Sequence, residues 1–503
     1  MRKGMIRHTS RLVVVTWVVA AVRLGAAQAD AAPASSAAPT GLLTIDGLPA
    51  RRVAIDQPID RSVAASAAVS PTLYLERCRG GCTVHKGANN AQGYASTIPT
   101  VQTATISEFE NATHLSGTAA DADWAAIVQC MREVYSPYNV TVTDVKPGAG
   151  VGYNMAIIAG HPSEIGLTAD ILGVAPLASD CSPIDNVISF SFANQHAAAD
   201  RVLNICWTAA QESAHAYGLD HEYAFVTGNR SACNDPMTYR NDCGGEKFFR
   251  NEAAKCGENA VRACKCGATQ NSHQKVLSVF GAGTPSTGNP TAVISAPVTG
   301  GPFGSAVAAQ AGARRGVARV ALYLNDYKWT EVPGSAFGMH GQPNPDAYSI
   351  PIPSGVPNSI IDIKVVASDD LDASTQSAVV TVTKGAPCVT ADTCAKGQKC
   401  EAGKCFWDPP MGEIGADCAY PQFCKTGVCQ GTKDQQICTQ PCTPGQADAC
   451  PSGFDCAMQT ATTGVCFFSS GGCCSVDRGD TAWWAHFGLA AVVLGSAARR
   501  RRR

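Results

Sequence analysis

Gln211, Glu212, His215 and His221 are the residues whose types and spacing best suit chemistry. On a helix, positions four apart face the same way, so side chains 211 and 215 converge on one point with Glu212 beside them. Gly218 permits a sharp backbone turn after the helix, and His221 then returns toward the same point. Two imidazoles and a third donor next to a carboxylate suit a divalent metal. Zinc in catalytic sites keeps three protein ligands and one open position, and lowers the pKa of a bound water to about 7. Glu212 is then placed to take a proton from that water as general base. A purely structural use of His215 and His221 would leave two imidazoles in need of partners.

The run Gln211-Glu212-Ser213-Ala214-His215-Ala216-Tyr217-Gly218-Leu219-Asp220-His221, followed by Asp235-Pro236-Met237-Thr238-Tyr239, resembles the zinc signature and Met-turn of the metzincin metalloproteases. Gln211 stands where that family has its first histidine. The resemblance is specific over 211–239 and vaguer across the rest of 71–282. It implies zinc as cofactor, a protein or peptide as substrate, Met237 as an apolar floor beneath the metal, and Tyr239 as a catalytic aid to the oxyanion. An amide oxygen is a harder, neutral and weaker donor to zinc than imidazole. Three readings therefore stand open: a weak zinc site of Gln211, His215 and His221, a metal-free scaffold, and a site completed by another histidine such as His161 or His196. The first gives a zinc metalloendopeptidase. The second gives an inactive member of the fold acting as a surface binding or adhesion protein.

The elements that must position these residues follow from periodicity. Residues 123–135 place Trp124, Ile127, Val128, Met131 and Val134 at helical spacing. Segments 140–145 and 155–159 read as strands, and 187–192 alternates with period two. That last strand, through Ser189, Phe190 and Ser191, is the expected partner of an extended substrate by strand addition. A helix over 198–215 carries the site, and a terminal helix is expected at 257–264 or at 272–280. His85 and His273 read as exposed surface residues.

The chain has 503 residues, room for several domains, and a net charge of −2 that gives no reason to expect nucleic acid. Arg2, Lys3, Arg7 and Arg11, the apolar run 12–21 and Ala27-Gln28-Ala29 read as a secretory signal peptide, 1–29. Residues 30–70 are Ala/Ser/Pro-biased, either a flexible leader or a pro-segment, with structure expected from about 71. The interval 290–384 lacks cysteine and alternates over 317–324, 361–367 and 377–383. It resembles the Ig-like sandwiches of bacterial surface proteins and suits a spacer. Of 24 cysteines, twelve fall in 388–466 without a C-x-x-C, so a disulfide module is expected there, and a local disulfide at Cys78 and Cys82.

Cys473 and Cys474, an apolar helix over 482–498 of roughly 25 Å, and the arginines 499–503 resemble the tripartite C-terminal sorting signals of myxobacterial surface proteins. The expected fold class is therefore a multidomain one: an α+β metzincin-like domain (71–282), an all-β Ig-like sandwich (290–384), a small disulfide-rich module (388–466) and a C-terminal membrane helix within 469–503. The expected setting is the cell surface, with the envelope and its sorting machinery as partners.

Overall fold

The structure is a computed structural model that describes residues 42–45, 48–58, 69–227, 231–241, 245–335, 346–431, 435–446, 449–460 and 462–469. All lie in the second of the two units into which the chain divides, Gly41–Arg503. The signal peptide, most of the 30–70 segment, Cys473, Cys474, the 482–498 helix and the terminal arginines lie outside the described residues.

The architecture corrects the expected fold class. Among the described residues strand makes up 36% and helix 15%, so the structure is mostly β rather than an α+β domain with β appendages. The strands fall into two larger sheets and many of two or three strands. Among the described residues no helix is long and apolar enough to cross a membrane. Among the described residues the α-helices are three stretches of 9 to 15 residues, most other segments pair as strands, and the Cys-rich C-terminal part closes into short hairpins.

Six strands form the sheet beneath the candidate site: β1 (Arg51–Gln57), β2 (Thr72–Glu76), β3 (Thr141–Thr143), β4 (Asn154–Ile158), β5 (Ile171–Ala178) and β6 (Ile188–Ser191). Their order is β1-β5-β6-β4-β2-β3, parallel throughout except for the β5–β6 pair. Structure thus begins well before 71. Residues 51–57 are an edge strand in register with β5, Val53 opposite Val174 and Ile55 opposite Pro176.

Helices α1 (Asp121–Tyr135) and α2 (Arg201–His215) cover the sheet. Asp121 and Asp123 favour the positive N-terminus of α1, while Trp124, Ile127, Val128 and Met131 enter the core, each contributing roughly 1.5–3 kcal/mol. A disulfide, Cys130–Cys206, ties α1 to α2. Helix α2 is buried on every side from Asn204 to His215, polar residues included. The helix α3 (Ser272–Phe280) takes the second of the two expected positions, and 257–264 is a loop closed by Cys256–Cys264.

Beyond it, a three-stranded sheet built on Ala306–Gly312 and a five-stranded sheet built on Arg319–Leu324 and Ser359–Ser368 share one core of Val307, Leu322, Ile350 and Ile363. The cysteine module contains three four-cysteine units with one pattern. First pairs with third and second with fourth: 388–400 and 394–405, 418–429 and 424–438, 442–456 and 450–466. In each unit the third and fourth cysteines face each other across a hairpin, as at Cys400 and Cys405.

Candidate active site

The last turn of α2 presents Gln211, Glu212 and His215. Gly218 follows at φ 88°, and a Cβ there would lie 2.0 Å from the Cys181 carbonyl oxygen, so only glycine makes this turn. The turn places the Leu219 carbonyl 2.7 Å from His215 Nδ1. It also brings His221 back, so that the Nε2 atoms of His215 and His221 stand 3.0 Å apart. Two such nitrogens cannot both present lone pairs at that distance without a cation or proton between them. Nitrogens sharing a tetrahedral zinc at ~2.0–2.1 Å would stand a little over 3 Å apart.

Gln211 is held by its amide nitrogen, which donates to the Met237 carbonyl at 3.1 Å. Its Oε1, and both carboxylate oxygens of Glu212, are buried with no hydrogen-bond partner among the described residues. Met237 is fully buried, its N–H bonded to Asp235 (2.9 Å), and Asp235 also accepts from the backbone N–H of Arg250 at 2.8 Å. Glu212 sits against Gly173 of β5, where a Cβ would come within 2.6 Å of its carboxylate. Burial pushes the Glu212 carboxyl well above its usual range, opposed by the Arg52 charge. Burial also pushes His215 down to about 3, and the charge of His221 adds to this.

The other expected site residues lie differently. Tyr239 does not offer its hydroxyl to the histidines. The Arg52 backbone N–H donates to it at 3.0 Å, and it donates in turn to the Arg52 carbonyl. The Arg52 guanidinium lies 5.1 Å from the centre of the same ring and donates to the Tyr239 carbonyl at 2.7 Å. Ser189, Phe190 and Ser191 are buried in β6, which is paired on one side with β5 and on the other with β4. An interior strand has no edge to offer, so it takes no substrate strand; β5, next to Glu212, has its outer edge filled by β1. His161 bonds Gln195 at 3.0 Å, and His196 lines a cavity of about 350 Å³ with Leu172, Asn204, Trp207 and Asn241. Neither is joined by hydrogen bond to the histidine pair. His273 is buried against the Tyr138 hydroxyl (2.9 Å) rather than exposed.

Three contributors escaped the sequence reading: Arg52, Gly173 and Glu258. Glu258 accepts from His221 Nδ1 at 2.7 Å. Burial raises its carboxyl, but hydrogen bonds from His221 and Arg262 outweigh that and hold it below the usual range. The glycine inside an apolar run was the one visible signal, since a strand glycine marks a close approach.

No family model and no curated protein matches the chain. Among solved structures, the fibronectin(III)-like modules of CbhA from Clostridium thermocellum share 21% identity, with 19% of this chain and 47% of that one covered and a TM-score of 0.13. The chain thus spans about half the length of that structure. Wild-type OgpA from Akkermansia muciniphila shares 11% identity, with 66% and 95% covered and a TM-score of 0.15. Its catalytic inactive form in complex with an O-glycopeptide (glycodrosocin) substrate shares 8%, with 65% and 94% covered and a TM-score of 0.17. At such scores these likenesses carry no weight for fold or chemistry.

Proposed function

We propose that this chain is a zinc-dependent peptidase captured in a closed state, related in its motif to the metzincins. The observation that carries the reading is that the Nε2 atoms of His215 and His221 face each other at 3.0 Å, while Gln211 Oε1 and both Glu212 oxygens, from the same end of α2, are buried without a hydrogen-bond partner. Buried polar groups are otherwise paired, so the set fits a cation. His215, His221 and Gln211 would hold it. Zinc, when bound there, supplies Lewis acidity toward a peptide carbonyl and an acidified water.

The chain's own groups do the rest. Glu212, raised by burial, takes a proton and returns it to the leaving amine. Met237 anchors the Gln211 amide through its carbonyl, aiming the oxygen inward. Gly173 leaves room for the carboxylate to act. Strand β1 covers the site, with Gln211, Glu212 and His215 wholly buried, so cleavage requires β1 to leave the edge of β5 and free Tyr239. An extended peptide would then add to that edge. The same covering strand favours the rival reading, an inactive surface binding protein. Export and anchoring through the C-terminal signal at Cys473 and Cys474 belong to this proposal, and the ten disulfides that join described residues, Cys78–Cys82 and Cys181–Cys266 among them, suit an oxidising compartment.

The test is metal content together with cleavage of a denatured protein mixture, with and without chelator. It compares the native, Arg52→Ala, Glu212→Gln and Arg52→Ala/Glu212→Gln forms. Activity should be chelator-sensitive and largest in Arg52→Ala. Glu212→Gln should remove it by about 10²–10⁴-fold with metal content unchanged. Metal-free, inert protein in every form would leave the binding-protein reading standing.

A further inference from the structure

Two carboxylates beside the site, Asp220 and Glu258, have no role in that mechanism, although they cluster with His221. Asp220, His221 and Glu258 bring ligand atoms within 4.8 Å of one another. This is not a second cation site, because a cation already fills it. Arg262 donates to both oxygens of Asp220 (2.6 and 2.7 Å) and to both of Glu258 (2.5 and 3.1 Å). Asp220 is further committed to the backbone N–H groups of His221 (2.8 Å) and Lys265 (2.8 Å). The contact left over is Glu258 Oε1 with His221 Nδ1, at 2.7 Å.

We propose that Glu258 is the positioning residue of the metal site: it accepts the hydrogen bond of His221 Nδ1–H, holds that tautomer and so leaves the Nε2 lone pair facing His215. The inference rests on the zinc reading above and deepens it. An acceptor on the far nitrogen decides which imidazole nitrogen is free to bind a metal, and a carboxylate there also makes the ring a stronger donor. The two histidines are backed unequally. His215 has a neutral acceptor, the Leu219 carbonyl, while His221 has an anion. That inequality falls in the site whose third donor is a neutral amide, where extra donor strength is most needed.

The backbone is built to hold Glu258 in place. Gly257, immediately before it, sits at φ 143°, and a Cβ there would lie 1.9 Å from the Ala260 carbonyl oxygen. Its N–H donates to the His221 carbonyl at 3.0 Å, so the loop is stapled to the very residue it orients. The Cys256–Cys264 disulfide closes the loop, and Cys256 pairs with Glu222 across a two-stranded ladder. Arg262, reaching from within the same loop, leaves the carboxylate one orientation.

The experiment titrates the full-length chain and its Glu258→Ala and Glu258→Gln forms with Zn2+, and records the visible absorption of the Co2+-loaded proteins. Glu258→Ala should weaken zinc binding by about 10–100-fold, the usual cost of losing such a partner. Glu258→Gln, whose amide oxygen still accepts the Nδ1 proton without the charge, should fall between the two and shift the Co2+ spectrum. Its metal-free melting temperature should match the native one, which separates positioning from a merely structural role. Native-like zinc affinity in both variants overturns the inference while leaving the zinc reading intact. A lowered melting temperature with unchanged affinity does the same. A native chain that binds neither ion overturns the zinc reading, and this inference with it.

Discussion

Two buried clusters of charged and polar groups lie at opposite ends of one argument. At the end of α2, Gln211 Oε1 and both Glu212 oxygens are enclosed without partners. At the junction between the first domain and the sandwich, Asp370 is enclosed between Arg250 and Arg315. Arg315 reaches its two oxygens at 2.8 and 2.9 Å, and Arg250 reaches one at 3.2 Å. The guanidiniums also donate to the carbonyls of Arg315 (2.7 Å), Glu246 (2.8 Å) and Phe249 (3.2 Å), with the Phe248 ring beneath both. The junction cluster gives its one anion two cations, leaving only Arg315 Nη1 without a partner, and works as a lock. The other leaves Gln211 Oε1 and both Glu212 oxygens without partners, the exception that buried polar groups rarely make.

The junction is where breaking the comparison should hurt most. Asp370→Ala leaves two guanidiniums buried without their anion, which typically costs about 3–5 kcal/mol. Chemical denaturation should show that loss, whereas metal binding at the α2 site should not change. Replacing all three residues with apolar ones of similar size should recover much of the loss, because paired burial contributes specificity more than stability. An Asp370→Ala protein as stable as the native one would mean that the two modules are held by other contacts.

Legibility followed the same division. Helices α1 and α2 and strand β6 could be read from periodicity, because their apolar spacing is regular and local. Strand β5 could not: Gly173 and Pro176 interrupt its apolar run and look like loop residues, yet the glycine is there to admit Glu212. Strand β1 was hidden by its charges, Arg51, Arg52 and Asp56, which only the partner strand explains. Of the site, the Gln211–His221 spacing was visible. Its closure by Arg52 and the His221–Glu258 contact were not, since those pairings join residues far apart in sequence. The three cysteine units were visible only as a count, because pairing is set by hairpin register, not by spacing.

The α2 site should respond to the opposite change, a better donor instead of a missing one. In Gln211→His, one ring nitrogen can keep the hydrogen bond to the Met237 carbonyl that the amide makes at 3.1 Å, while the other faces His215 and His221. Zinc affinity should rise at least tenfold, about 1.4 kcal/mol, and His215→Ala should abolish binding in either background. Competition with a chromophoric chelator measures both. Equal affinity in native and Gln211→His forms would mean that the amide oxygen is not a ligand, and that the unpartnered acceptors answer to something other than a metal.

The smallest effect returns to the junction, through His273. Its ring bonds the Tyr138 hydroxyl at 2.9 Å. Burial lowers its pKa below the ordinary 6.5, and the charge of Arg315 lowers it further, against a smaller opposing pull from Asp370. The folded protein therefore binds fewer protons here than the unfolded chain. Stability from this neutral histidine is complete above the unfolded pKa near 6.5 and is lost as pH falls through it toward the folded value. Other buried histidines add to the native slope, so the informative quantity is a difference. His273→Gln keeps a polar partner for Tyr138 but cannot titrate, and its stability should decline less than the native protein's between pH 7 and pH 5. Parallel curves for the two would place the cost of acid elsewhere and show that the paired arginines do not disfavour charge on the neighbouring ring.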